Sequence, residues 1–135
     1  MRPALKLIGF GILMMAGCAP VPAPPERPAL ALLLTETKFL PRDDYTGADT
    51  PEDLKPLQEA VNKAIDDIRA MPEPLDEVAV RGRLSRLLKD TDLFATEDRD
   101  EVGRYAIRTW RAAGFKDESG LFRVADDRVL NLRWL

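Results

Sequence analysis

The sequence predicts a mostly α-helical domain of α+β class: a small helical bundle of about four helices with a C-terminal β-hairpin. Three observations lead there. Apolar residues recur in alternating steps of three and four, the spacing of a helix with one buried face. Those stretches open on capping residues, first-turn prolines or acids and close on Pro or Gly. Past Ser119-Gly120 the spacing falls to strict alternation, the period of a strand. The 135 residues are 45% hydrophobic and 32% charged, a balance typical of one globular domain and sufficient to build a core without disulfides or metal.

Residues 1–17 read as a leader. Arg2 and Lys6 precede an unbroken apolar run from Leu7 to Met15, followed by Ala16, Gly17 and Cys18. A cationic start, a short apolar centre and small residues at a cut site make a secretory signal. The run is well short of the roughly 20 residues that span a bilayer. Met15-Ala16-Gly17-Cys18 resembles the lipobox of bacterial lipoproteins. The resemblance implies cleavage between Gly17 and Cys18, acylation of the Cys18 sulfur with palmitate-type chains, and N-acylation of the new terminus. Cys18 is the only cysteine in the chain. Each buried methylene contributes about 0.8 kcal/mol, so two or more chains anchor stably. Ala19 follows where Asp would direct retention at the inner membrane, and by analogy this implies an outer-membrane anchor facing the periplasm.

Residues 18–28 form a tether, with proline at 20, 22, 24, 25 and 28. That density forbids helix and favours an extended polyproline conformation of about 3.1 Å per residue, or roughly 30 Å in all. The folded domain is assigned to 29–135. Its first helix spans Ala29 to about Phe39, apolar at Leu30, Leu33, Leu34 and Thr37, with Pro28 at its start and Pro41 beyond its end. The run from Ala29 to Leu34 is also compatible with a buried strand, but Leu and Ala favour helix. Thr50-Pro51-Glu52-Asp53 opens the second: a capping hydroxyl, a first-turn proline and acids facing the helix dipole. Leu54, Leu57, Val61, Ala64, Ile68 and Met71 form its stripe, ended by Pro72 and Pro74. Pro56 lacks a backbone donor, so the opening turn is expected to be irregular or the helix to begin near it.

The third helix runs from Leu75 or Asp76 to Lys89, with Val80, Leu84, Leu87 and Leu88 inward. Gly82 within it weakens the helix by about 1 kcal/mol relative to Ala and is expected to permit close packing. The fourth is the best marked: Thr96 as N-cap, acids at 97, 98, 100 and 101 at its positive end, and a buried face of Val102, Tyr105, Ala106, Thr109, Trp110 and Ala113. Arg104, Arg108 and Arg111 lie toward its negative end. Gly114 stops it, and Phe115 folds back as a hydrophobic closure. Leu121–Val124 and Arg128–Leu135 form the hairpin, Leu130, Leu132 and Trp134 alternating with polar residues. Thr96-Glu97-Asp98-Arg99-Asp100, with Tyr105, Gly114 and Ser119-Gly120-Leu121, resembles the central motif of a small helical bacterial family of uncharacterised domains. That resemblance implies helical architecture and carries no activity with it.

Composition excludes much chemistry. The chain has no histidine, which removes His-based acid–base catalysis, Ser-His triads and His-ligated metal sites. Asp90, Asp92 and Glu101 match positions 1, 3 and 12 of a calcium loop, but Phe94 and Ala95 stand where a ligand and the turn-making glycine belong. The acids at 97–101 are read as helix-capping charges, since glycosidic cleavage also requires an apolar pocket that raises one carboxyl pKa. Ser85 and Ser119 belong to no nucleophile motif, and no phosphate loop occurs. The net charge of −3 leaves no strong basic face, so nucleic acid is not expected as a partner, and no cofactor or metal is implied. Trp110 is placed in the core. Arg81, Arg83, Arg86 and Trp134 are the candidate partner-contacting residues, Arg and Trp being prominent at interfaces. The expected function is a lipid-anchored, periplasm-facing, non-enzymatic protein-binding module. An immunity or inhibitor lipoprotein that neutralises a periplasmic toxin or cell-wall hydrolase is one alternative, and a structural component of an envelope assembly is another.

Overall fold

A computed structural model describes residues 19–20 and 26–117. Four helices make up the body: α1 (Pro28–Thr35), α2 (Pro51–Arg69), α3 (Glu77–Asp90) and α4 (Thr96–Ala112). The chain is mostly helical as its periodicity requires, and the described residues contain no strand, only one isolated antiparallel bridge between Arg42 and Tyr45. The hairpin expected over 121–135 lies outside the described residues. No helix among the described residues is long and apolar enough to cross a membrane.

The helices bury the stripes that define them. Leu57, Val61, Ala64 and Ile68 of α2 are fully buried, joined by Ile65, which lies beside the expected stripe. Val80, Leu84 and Leu87 of α3 meet them, while α4 supplies Val102, Tyr105, Ala106, Ile107 and Trp110. α2 and α4 each contact all three other helices, whereas α1 and α3 do not pack on one another. Trp110 is 1% exposed, a core residue as its spacing indicates.

Cap chemistry accounts for three of the helix ends. The Thr50 hydroxyl accepts from the Asp53 N–H at 3.3 Å, and Pro51 occupies the first turn. Asp76 caps α3 by accepting from the Ala79 N–H at 2.9 Å. After α4, Gly114 takes φ +97°, a left-handed conformation that glycine adopts without steric cost. The Phe115 N–H then reaches the Trp110 carbonyl and the Gly114 N–H the Arg111 carbonyl, the paired bonds of a Schellman closure. Phe115 stacks on Trp110 at 4.4 Å between ring centroids.

Four expectations are corrected. The N-cap of α4 is Ala95, without a side-chain bond, and Thr96 is the first helical residue. Its hydroxyl instead accepts from Arg99 at 3.2 Å. α1 stops at Thr35 rather than near Phe39 and leaves Thr37 exposed. The cause is local: Lys38 folds its ammonium back onto the Leu33 carbonyl, and Phe39 turns to φ +59° to enter the core. Pro56 sits within regular helix; near the start its missing donor leaves unpaired only the carbonyl four residues back, on solvent-exposed Glu52. Gly82 is exposed, and a methyl group there would meet nothing within 4 Å, so it marks no close packing.

Candidate functional site

Between α1 and α2 lies a 36–50 connection, long for a helical bundle and ordered by contacts with α4. Phe39 and Tyr45 are buried in the core. Arg42 and Tyr45 exchange backbone hydrogen bonds of 2.7 and 3.1 Å, closing a tight turn. Gly47 follows at φ +96°, where an added methyl would lie 3.2 Å from Pro41 Cγ. Phe39 packs its ring 5.3 Å from Tyr105.

The acids of α4 hold this loop down. Glu101, 2% exposed, accepts from both terminal nitrogens of Arg42 at 2.5 and 2.6 Å. This is the bidentate fork that makes Arg–carboxylate pairs strong. Arg104 bridges Glu101 and Asp44 at 3.2 and 3.0 Å. Asp98, fully buried, accepts from the Tyr45 hydroxyl at 2.7 Å and from the Asp49 N–H at 3.1 Å. Burial, then the Asp98 hydrogen bond, pushes the Tyr45 phenol far above its ordinary range. Burial also lowers the Lys38 ammonium, with Glu36 opposing and Arg108 assisting. The reading of these acids as helix-capping charges is therefore corrected for Asp98 and Glu101. Each is committed to a cation or donor from the loop, and only Glu97 and Asp100 remain exposed at the helix start. Among the described residues no three His, Cys, Asp or Glu side chains converge as a metal site.

The sequence-selected arginines of α3 divide between two faces. Arg81 pairs with Glu77 at 2.6 Å and lies over the Trp110 ring, 5.1 Å from its centroid. Arg83 turns the other way, its Nε donating to Asp67 of α2 at 2.7 Å. Arg86 is exposed and shares with Arg83 a cleft of about 180 Å³ between α2 and α3, lined also by Ala60, Lys63, Asp67, Leu87 and Asp90. Burial opposes ionisation of Asp67, yet hydrogen bonds from Arg83 and Lys63 hold its carboxyl below the ordinary value. The angular arithmetic of a helix explains the division: residues two apart point to opposite sides, residues three apart to one. Gly17, Cys18 and Trp134 lie outside the described residues.

Sequence reasoning missed Arg27, which was placed in the tether. Arg27 is 9% exposed, and its guanidinium donates to the carbonyls of Ile68, Arg69, Met71 and Pro72 and to Glu73. It therefore caps the C-terminus of α2, where carbonyls lack partners and the helix dipole favours a cation. Beside it opens a second, wider cavity of about 420 Å³, between Pro28, Leu75, Ala113 and Phe115. One signal was available: Arg27 directly precedes the helix-starting Pro28. Comparison of the chain with family models, with curated proteins and with solved structures finds no match in any of the three.

Proposed function

We propose that this chain is a lipid-anchored, periplasm-facing, non-enzymatic protein-binding module. The observation that carries the reading is Met15-Ala16-Gly17-Cys18 behind a short apolar leader, followed by a proline-dense tether. Thioether-linked acyl chains on Cys18 supply the membrane affinity, and the tether holds the helical body away from the bilayer. The internal use of the α4 acids supports the non-enzymatic part. Cleavage of a glycosidic bond by a carboxylate pair needs one carboxyl free to donate a proton and another free to act as base or nucleophile. Here Glu101 is engaged by Arg42 and Asp98 by Tyr45.

Metabolic labelling with a radioactive fatty acid tests the anchor. The wild-type protein is expected to carry label and fractionate with membranes, and Cys18→Ser to do neither. A wild-type protein that is unlabelled and soluble in the periplasm would overturn the anchor. Cross-linking of the intact protein in the envelope tests the module. A discrete adduct with another envelope protein is the expected result, and none at any cross-linker length counts against it.

A further inference from the structure

We propose that residues 118–135 seat in the outer groove between α3 and α4, with Leu121 and Phe122 over Gly103. Two stripes at helical spacing frame this groove. Arg81, Ser85, Leu88 and Asp92 follow one another along α3 and into the turn after it, and Arg99, Gly103 and Trp110 along α4. The stripes meet at both ends. At one, the Arg81 guanidinium lies 5.1 Å from the Trp110 ring centroid, and at the other Arg99 donates to Asp92 at 3.3 Å.

Gly103 is buried within the single chain, yet a methyl group added there would meet no packed neighbour within 4 Å among the described residues. Gly82, a helical glycine equally without neighbours, is exposed, so helix backbone alone does not hide such a position. The flanking side chains do not hide it either: Val102 lies in the core, and Arg104 turns away to Asp44 and Glu101. Because the single chain suffices to bury Gly103, its cover belongs to the chain and not to a partner or a second copy. Residues 118–135 are directed there. After the Gly114 turn the chain doubles back along α4, and the Trp110 indole N–H donates to the Asp117 carbonyl at 3.0 Å. From Trp110 to Gly103 is about 10 Å along the helix axis at 1.5 Å per residue, a distance that about three extended residues span. Leu121 and Phe122 are the first large apolar residues to arrive. Arg81 and Asp92, at the two ends of the groove, and Asp117, at its entry, each have an interaction partner besides these. The segment carries charges of both signs to supply them, Asp126 and Asp127 for the cation and Arg123, Arg128 and Arg133 for the anions.

Disulfide trapping in the full chain carrying Cys18→Ser tests the placement. Gly103→Cys combined with Leu121→Cys or Phe122→Cys is expected to oxidise to a bridge within one chain, whereas Gly82→Cys with the same partners stays reduced. A bridge from Gly103→Cys to Ala23→Cys would assign the cover to the tether, and a bridged dimer of Gly103→Cys alone would assign it to a second copy. Either result overturns the proposal, as does the absence of any bridge. Trypsin gives a second readout that needs no cysteine. Cleavage after Arg123 in the wild-type protein is expected to be slower than in the free 118–135 peptide by about tenfold or more, since it must await local opening. Gly103→Leu, which fills the space beneath the segment, is expected to bring cleavage after Arg123 up to the peptide's rate while cleavage after Lys63 in α2 stays slow. Wild-type protein cut after Arg123 as fast as the peptide, or a Gly103→Leu protein cut there no faster than wild type, would overturn the proposal.

Discussion

Tyr45 and Asp98 form the most buried polar contact between the 36–50 loop and α4. The cost of removing either partner differs with what is left behind. Tyr45→Phe leaves Asp98 one acceptor bond, from the Asp49 N–H, and is expected to cost about 1–2 kcal/mol. Asp98→Ala strands the phenol hydroxyl and empties a buried volume, so about 3 kcal/mol is expected. The double variant should show a coupling of about 1–2 kcal/mol in urea unfolding, and strict additivity would mean that the bond contributes nothing. Glu101 behaves differently because Arg42 is nearly half exposed and water can take over part of its role. None of this was legible in the sequence. Acids at a helix start are satisfied locally by the dipole, and nothing in the spacing of Asp98 and Glu101 distinguishes them from Glu97 and Asp100. The difference arises from a loop that meets α4 some fifty residues away in sequence.

Helices were legible because each carries its own periodicity and punctuation. Thr50 with Pro51, and Gly114 with Phe115, perform the roles their positions suggest. The cap of α4 was misplaced by one residue, since Ala95 takes the non-helical cap conformation (φ −56°, ψ 152°) and its methyl group can accept no hydrogen bond. The contrast makes a test. Thr50→Ala is expected to lower stability by about 1 kcal/mol, whereas Thr96→Ala should leave the melting curve unchanged, the Thr96 hydroxyl accepting only from a surface arginine. Gly82 offers a gain: with open space around it and no left-handed φ, Gly82→Ala should stabilise α3 by about 1 kcal/mol, or several degrees in melting temperature for a domain of this size. An unchanged or lower melting temperature would mean that the glycine has a role its surroundings do not reveal. The early end of α1 was not legible, because Lys38 reads as a solvent-facing cation until its ammonium is found over the Leu33 carbonyl.

In the whole molecule, the N-terminus of α1, the C-terminus of α2 and the start of α3 gather at one end, joined by Arg27, while the 36–50 loop and the α3–α4 turn occupy the other. That turn carries Leu93, 99% exposed. Topology of this kind follows from three amphipathic helices and one short apolar helix packing on a common core, so the bundle was legible while its end-to-end polarity was not. Arg27→Ala should cost about 2–3 kcal/mol through the carbonyls it leaves unpaired. Hydrogen exchange should show the loss concentrated in Ala29–Leu33 and Ile68–Met71, and uniform loosening of all four helices would refute that localisation. The guanidinium clamp also decides how the molecule bears load. Tension along the chain from its amino-terminal side would, through the backbone alone, fall on an eight-residue helix and peel it away turn by turn. With Arg27 gripping the end of α2, the pull divides between two helices, and the longer and more deeply seated one takes its share before the first turn of α1 can unwind.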